Sequence, residues 1–308
     1  MKKIITLFFA ISFIAVSAGA QTFQPNLALL TTYEQSENPS EQHHQPYIAI
    51  FKKDGKTLIY LASKHYADET LDMVDYVFAN FKPKIAVVEF ERSGRMLRDK
   101  CSRNEFEYSA GIASDKNIPV VLADLPDDEK IKILSRKDPN AYKTYQAKWM
   151  INNSMMHKRQ FGTYTTADGE VQSFTHFAWK PDMPEPMTAE EFKIWFKERF
   201  NEDFDTADLN EIFKEDWTWP LSTGTIFNKL SEDMDFYARD PFIVKNIAAA
   251  LNKYKTVYAA FGEGHYRTHR KISEDMLGKP EYIWDVEYKD RNNCQGFQIK
   301  KVILVPEP

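Results

Sequence analysis

Two histidines and a pair of glutamates stand where short apolar runs end. Leu58-Ile59-Tyr60-Leu61-Ala62 leads into Ser63-Lys64-His65, and Val257-Tyr258-Ala259-Ala260-Phe261 leads into Gly262-Glu263-Gly264-His265. A third run, Ile85-Ala86-Val87-Val88, ends in Glu89-Phe90-Glu91. Runs of this length and composition predict buried strands. In an open α/β sheet, ligands bind outside the carboxyl ends of the strands. Three neighbouring ends would therefore bring two imidazoles and a carboxylate together, groups that ligate metals and exchange protons. Glu89 ends a buried strand, so its carboxylate needs a partner: a metal, an arginine or a hydrogen-bond network. Strand alternation gives Glu91 the parity of Glu89, about 7 Å further along. Glycines around His265 let the backbone turn sharply and approach a ligand. Arg239 and Asp240 precede Pro241 and an apolar helix. Proline suits the first helical position, Asp240 is expected as the cap, and Arg239 is a site candidate.

The elements that must position these residues follow in order. Tyr47–Phe51 and Thr57–Ala62 flank Lys53-Asp54-Gly55-Lys56, a hairpin signal because Asp-Gly tolerates positive φ. Leu71, Val74, Val77, Phe78 and Phe81 recur with helical period over residues 68–81, and Pro83 stops that helix. Residues 106–116 read as helix and 118–123 as strand. Successive strand, helix, strand, helix, strand predicts an α/β fold, a central mostly parallel sheet flanked by helices. Residues 125–235, rich in Trp, Phe, Met and charge, read as a helical insertion rather than a second domain. Helices are expected there at 141–159, 188–200, 207–213 and 225–237. The α/β pattern resumes with a helix at 241–254, the strand at 257–261 and a helix at 268–277. Strands at 282–288 and 297–305 should finish the sheet as antiparallel edge strands.

The chain has 308 residues, 40 Lys+Arg against 45 Asp+Glu and a net charge of −5. That acidic balance argues against nucleic-acid partners, which need clustered cations on phosphates. Two basic residues, an apolar run over residues 4–16 and Ala18-Gly19-Ala20 fit a signal peptide over residues 1–20. The run is too short to span a bilayer, and no later segment has spanning length and apolarity. The expected location is secreted or periplasmic, with residues 21–46 as an exposed polar leader. In an oxidising compartment Cys101 and Cys294 stand either as one bridge or as two thiols.

His65 after one strand, Glu89-Phe90-Glu91 after the next, Arg239-Asp240 opening a helix and Gly262-Glu263-Gly264-His265 together resemble the TraB/Tiki family. That family belongs to a broader group with erythromycin esterases and ChaN-like haem-binding proteins. The second G-x-x-H motif matches well, whereas Ala62-Ser63-Lys64-His65 carries alanine in the glycine place. The resemblance covers most of the chain in order, and the insertion matches nothing in it. It implies a metal-dependent hydrolase, most simply a peptidase, acting on a peptide or small molecule. His65, Glu89 and His265 would bind a divalent ion, with zinc, iron, manganese and cobalt all compatible. Glu91 or Glu263 would take a proton from water, and Arg239 would stabilise an oxyanion. The same resemblance leaves two other readings open. One is a haem or small-ligand binder, with Tyr60, Tyr66, Phe90, Tyr266 and Met155-Met156-His157 around an apolar pocket. The other is a metal-independent esterase with a histidine base.

Other motifs carry less. His265 and His269 are four apart, but Tyr266 stands where a helical zinc protease has Glu, so His269 and Arg270 are expected on a solvated face. His43-His44 falls in the polar leader. There is no G-x-S-x-G elbow and no phosphate-binding glycine loop.

Overall fold

Asp54 and Gly55 both take positive φ, 50° and 74°, as a tight hairpin turn requires. They join β1 (Tyr47–Lys53) to β2 (Lys56–Ser63) in antiparallel register from Tyr47↔Ala62 to Lys53↔Lys56. The computed structural model describes residues 22–36, 45–91, 104–213, 226–286 and 302–303. The segment expected to be a signal peptide, His43-His44, Cys101 and Cys294 lie outside the described residues.

After α1 (Tyr33–Ser36) and the hairpin come α2 (Asp68–Asn80), β3 (Ile85–Glu91), α3 (Glu105–Asp115) and β4 (Val120–Asp124). The insertion holds α4 (Asp127–Ser135), α5 (Pro139–Phe161), α6 (Ala167–Phe177), α7 (Ala189–Phe200), α8 (Leu209–Ile212) and α9 (Ile226–Met234). A π-turn (Asp235–Arg239) links it to α10 (Asp240–Lys253), followed by β5 (Thr256–Gly262), α11 (Glu263–Leu277), β6 (Glu281–Ile283) and β7 (Val302–Ile303). Sheet order is β6-β1-β2-β5-β3-β4-β7. β5 enters between β2 and β3, parallel to both, with Ser63↔Gly262 and Val88↔Ala260 in register. The carboxyl ends of β2, β5 and β3 thus stand side by side. The last two strands take opposite edges: β6 runs antiparallel to β1, as expected, while β7 runs parallel to β4 rather than antiparallel.

Strand alternation divides the core in two. Ala49, Phe51, Leu58, Tyr60, Val87 and Phe261 face α10 and α11. Ile48, Ile59, Leu61, Val88, Tyr258 and Ala260 face α2 and α3. The helical period over α2 buries Leu71, Val74, Val77 and Phe78. The insertion packs a third core of its own, with Phe192, Phe196, Phe204 and Phe213 edge to face around Trp195 and Phe227. Thr188 and Glu191 form a full capping box at the start of α7.

Three expectations need correction. The leader is not an exposed strand of polar chain where it is described: Phe23 and Leu30 are buried, and the Asn252 side chain grips the Phe23 backbone, accepting from N at 2.6 Å and donating to O at 2.9 Å. The partly buried Leu27 and Leu29 pack against the same core and help to dock it. Asp240 is not a helix cap, because α9, the π-turn and α10 run on without a break and Asp240 has helical φ and ψ of −62° and −44°. Pro241 has no N–H for the helical ladder, and the π-turn is where that ladder widens. The helix after β5 begins at Glu263, so His265 lies in its first turn and His269 is fully buried rather than solvated.

Glu170 of α6 is buried against Asn153, which donates to it at 2.8 Å, and Thr165. Burial pushes its carboxyl up to about 7 from an ordinary 4.5. A carboxyl whose folded pKa is raised binds its proton more tightly in the folded state, so stability falls as pH rises from 4.5 to 7. Glu170→Gln, uncharged throughout, should therefore gain on wild type between pH 5 and pH 8, by up to about 3 kcal/mol in urea unfolding. Parallel pH–stability curves would contradict this assignment.

Candidate functional site

The three strand ends open onto one cavity of about 160 Å³. Its lining includes His65 after β2, Glu89 of β3, Gly262 at the end of β5, Glu263 and His265 of α11, and Arg239 of the π-turn. Of the six residues singled out from sequence, five line it. Glu91 belongs to β3, but its side chain lies outside the described residues. The register of β3 on β4 shifts between Val88 and Glu91, so strict alternation does not run through this stretch.

Each histidine is fixed from behind by a carboxylate. His65 Nδ1 lies 2.8 Å from Glu105 Oε1, and Glu105 also accepts from Ser63 Oγ and the Tyr66 N–H. Glu105 is fully buried at the start of α3, where Asn104 caps the helix. His265 Nδ1 lies 2.7 Å from Asp240 Oδ1, which also accepts from His269 Nε2 at 2.9 Å, while Thr268 Oγ donates to Oδ2. With His269 Nε2 donating to Asp240, its Nδ1 accepts from the Tyr60 hydroxyl at 3.0 Å. Both site histidines thus use Nδ1 for orientation and leave Nε2 for the cavity. A carboxylate behind each ligand nitrogen is the arrangement that fixes tautomer and raises basicity in metal sites.

Glu89 is the common neighbour. Arg239 Nη2 donates to Oε1 at 2.5 Å, the Gly262 N–H donates to Oε2 at 2.6 Å, and His265 Nε2 lies 3.8 Å from Oε1. Burial pushes the Glu89 carboxyl up, but Arg239, His265 and the Gly262 N–H outweigh it and hold it down at about 2. Arg239 also grips Asp124 through Nε at 2.8 Å and Nη2 at 2.9 Å, with Nη1 3.5 Å from Asp235. Burial and Arg239 push His265 down, yet Asp240 and Glu89 prevail and its pKa is raised; burial leaves that of His269 lowered.

Gly262 is required here for space rather than for φ. A Cβ at this position would stand 2.9 Å from His65 Nε2 and 3.5 Å from Glu89 Oε2. Two ligand-type atoms thus crowd the same empty point. Gly264 is equally constrained, because a Cβ there would meet the Tyr33 ring at 2.5 Å. Glu263 accepts from Gln45 at 2.8 Å and pairs with Arg267 at 2.9 Å, and burial raises its pKa. Lys64 points to solvent, away from its neighbour's task, and Ala62 lies inside the sheet opposite Phe261.

Asp240, His265 and His269 place three ligand atoms within 4.8 Å of one another, so this buried group could hold a metal ion. Its internal contacts are hydrogen-bond distances, and Tyr60 occupies the far nitrogen of His269. The group therefore acts on its own as a proton-bridged support for His265. Sequence reasoning missed Glu105, Asp124, His269, Gln45 and the Thr31–Tyr33 wall of the cavity. The buried parity of Asp124 at the end of β4, one strand over from Glu89, was the signal available. None of Tyr60, Tyr66, Tyr266, Met155 or Met156 lines the cavity: Tyr60, Tyr266 and Met155 are core, while Tyr66 and Met156 are exposed. Phe90's side chain lies outside the described residues.

Replacing Arg239 by Met would leave Glu89 and Asp124 buried without their shared counter-charge. The expected loss is about 3–5 kcal/mol at pH 7 by urea unfolding. Glu89 has a depressed folded pKa, so its stabilising share is present above the ordinary 4.5 and fades as pH falls towards 2. The deficit of Arg239→Met should accordingly shrink below pH 4.5; a deficit independent of pH would contradict the assignment. Comparison of this chain with family models, with curated proteins and with solved structures gives no match.

Proposed function

We propose that this protein is a secreted or periplasmic metal-dependent hydrolase of TraB/Tiki type, acting on peptides. The observation that supports it is the pair of carboxylate-backed histidines whose Nε2 atoms turn towards Glu89 at the ends of three adjacent strands. The donor set suits a divalent ion: two imidazole nitrogens, one anionic carboxylate and a glycine wall that leaves the space between them empty. His65, Glu89 and His265 would hold it, with Glu105 and Asp240 behind them; zinc, iron, manganese or cobalt would each fit these ligand types. Such an ion polarises a scissile carbonyl and brings the pKa of water from about 15.7 towards ~7.

The chain's own residues account for the rest of the reading. Arg239 keeps Glu89 ionised and in place, and Nη1, with its longest contact to Asp235, is the end that can turn to negative charge developing on substrate. Glu263, held by Gln45 and Arg267 on the cavity wall, would accept the proton of water and return it to the leaving amine. Glu91 remains the other candidate for that proton. Thr31, Thr32 and Tyr33 form one part of the cavity wall.

Metal-stripped protein titrated with each of the four ions should be stabilised by one or more of them, by about 2.7 kcal/mol at a hundredfold excess over Kd. His65→Ala and His265→Ala should abolish the response, and Gly262→Ala should weaken it at least about tenfold by pushing His65 aside. His269→Gln should weaken it less than His65→Ala does; the reverse order would move the ion to the Asp240 group. Hydrolysis of a peptide mixture, followed by mass spectrometry, should stop with chelator and return with metal. Equal activity of His265→Ala and wild type would end this reading.

A further inference from the structure

The leader reaches the strand-end cavity and meets one residue of it from two sides. Phe23 and Leu30 are buried against the core, and the Thr31 N–H lies 3.5 Å from the Thr268 carbonyl of α11. Tyr33 follows on the cavity wall. Arg267 Nη2 donates to the Tyr33 hydroxyl, and the guanidinium carbon stands 4.5 Å from the centre of the Tyr33 ring. Through Nε the same arginine pairs with Glu263 Oε1 at 2.9 Å. At the other end of the leader, just before β1, Gln45 Nε2 donates to Glu263 Oε2 at 2.8 Å. Glu263 is only 6% exposed, and a buried carboxylate is costly without such partners. A carboxylate has about four lone-pair sites, so these two contacts leave it able to take a proton. Gly264 points to the same arrangement from the helix side. Glycine is a poor helix residue, yet here any Cβ would stand 2.5 Å from the Tyr33 ring. The missing side chain is what lets the ring come so close.

From this we infer that the leader is a working part of the site: Gln45 and Tyr33 are positioning residues for Glu263, Gln45 directly and Tyr33 through Arg267. The inference rests on the hydrolase reading, and it narrows that reading to Glu263, rather than Glu91, as the group that moves the proton. In that step the water oxygen bonds to the acyl carbon while one water proton passes to a Glu263 oxygen. The same proton then goes to the amide nitrogen as the C–N bond breaks, giving a carboxylic acid and an amine. Gln45 and Arg267 keep their own protons throughout. Their part is to hold the carboxylate in one orientation, since a small misplacement of a reacting group can cost a large factor in rate.

The test uses the metal-loaded full chain and the peptide of the mixture that it cleaves fastest, with kcat and KM measured separately. Gln45→Leu and Tyr33→Leu should each lower kcat about tenfold and leave KM within about twofold. Glu263→Gln should lower kcat by about a hundredfold or more. Adding Gln45→Leu or Tyr33→Leu to Glu263→Gln should cost nothing further, because both act through that carboxylate. A merely structural role would instead give losses that multiply. Gly264→Ala should lower kcat as Tyr33→Leu does, and the two together should be no worse than Tyr33→Leu alone. Metal affinity within about twofold of wild type shows that the Gln45 and Tyr33 variants are folded with their ligands in place. Wild-type kcat in both leader variants, a change confined to KM, multiplying losses or full activity of Glu263→Gln would each overturn the inference and leave hydrolysis standing. No cleavage by wild type with any of the four metals would overturn both.

Discussion

A carboxylate buried at the end of a central strand is what the surrounding structure has to accommodate. Glu89 can remain ionised inside the protein only because Arg239 meets one oxygen and the Gly262 N–H meets the other. Arg239 in turn is fixed by Asp124 at the end of the next strand, and it is the last residue of the π-turn over Asp235–Arg239. The two histidines then close around the same carboxylate. Each is turned by an acid from a helix start or helix interior, Glu105 from α3 and Asp240 from α10. The sheet therefore supplies positions, and the helices supply orientation and compensating charge.

Much of this arrangement was legible in the residues. Apolar runs ending in His65, Glu89 and Gly262-x-x-His265 marked the strand ends, and Asp54-Gly55 marked the hairpin, because these signals are local. The sequence order of the strands does not reveal that β5 would enter between β2 and β3, yet the site depends on that placement. Pro241 made Asp240 read as a cap at a helix start, whereas the helix runs on through it. Only the three-dimensional return of α11 turns it into the partner of two histidines. His269 failed for a related reason. Its helical neighbours Arg267 and Arg270 are charged, and its burial comes from the tertiary stack of Tyr60 and Phe261, which leaves no local trace. Phe23 and Leu30 carry too little periodic signal to announce that the leader packs on the core.

The insertion has a distinct part. Its aromatic core is self-contained, yet its last helix continues through the π-turn into α10 and so delivers Asp235 and Arg239 to the sheet edge. Its inner face, along α5 and α9, stands across Arg239 from the strand-end cavity. No helix among the described residues is long and apolar enough to cross a membrane.

The proposed arrangement of His65, Glu89 and His265 around a cation is the central claim, and anomalous X-ray scattering from crystals soaked with manganese or zinc addresses it directly. The account predicts a peak between His65 Nε2, His265 Nε2 and the Glu89 carboxylate, with both Nδ1 contacts to Glu105 and Asp240 retained. A peak lodged between Asp240 and His269, or none at the ends of the three strands, would contradict it.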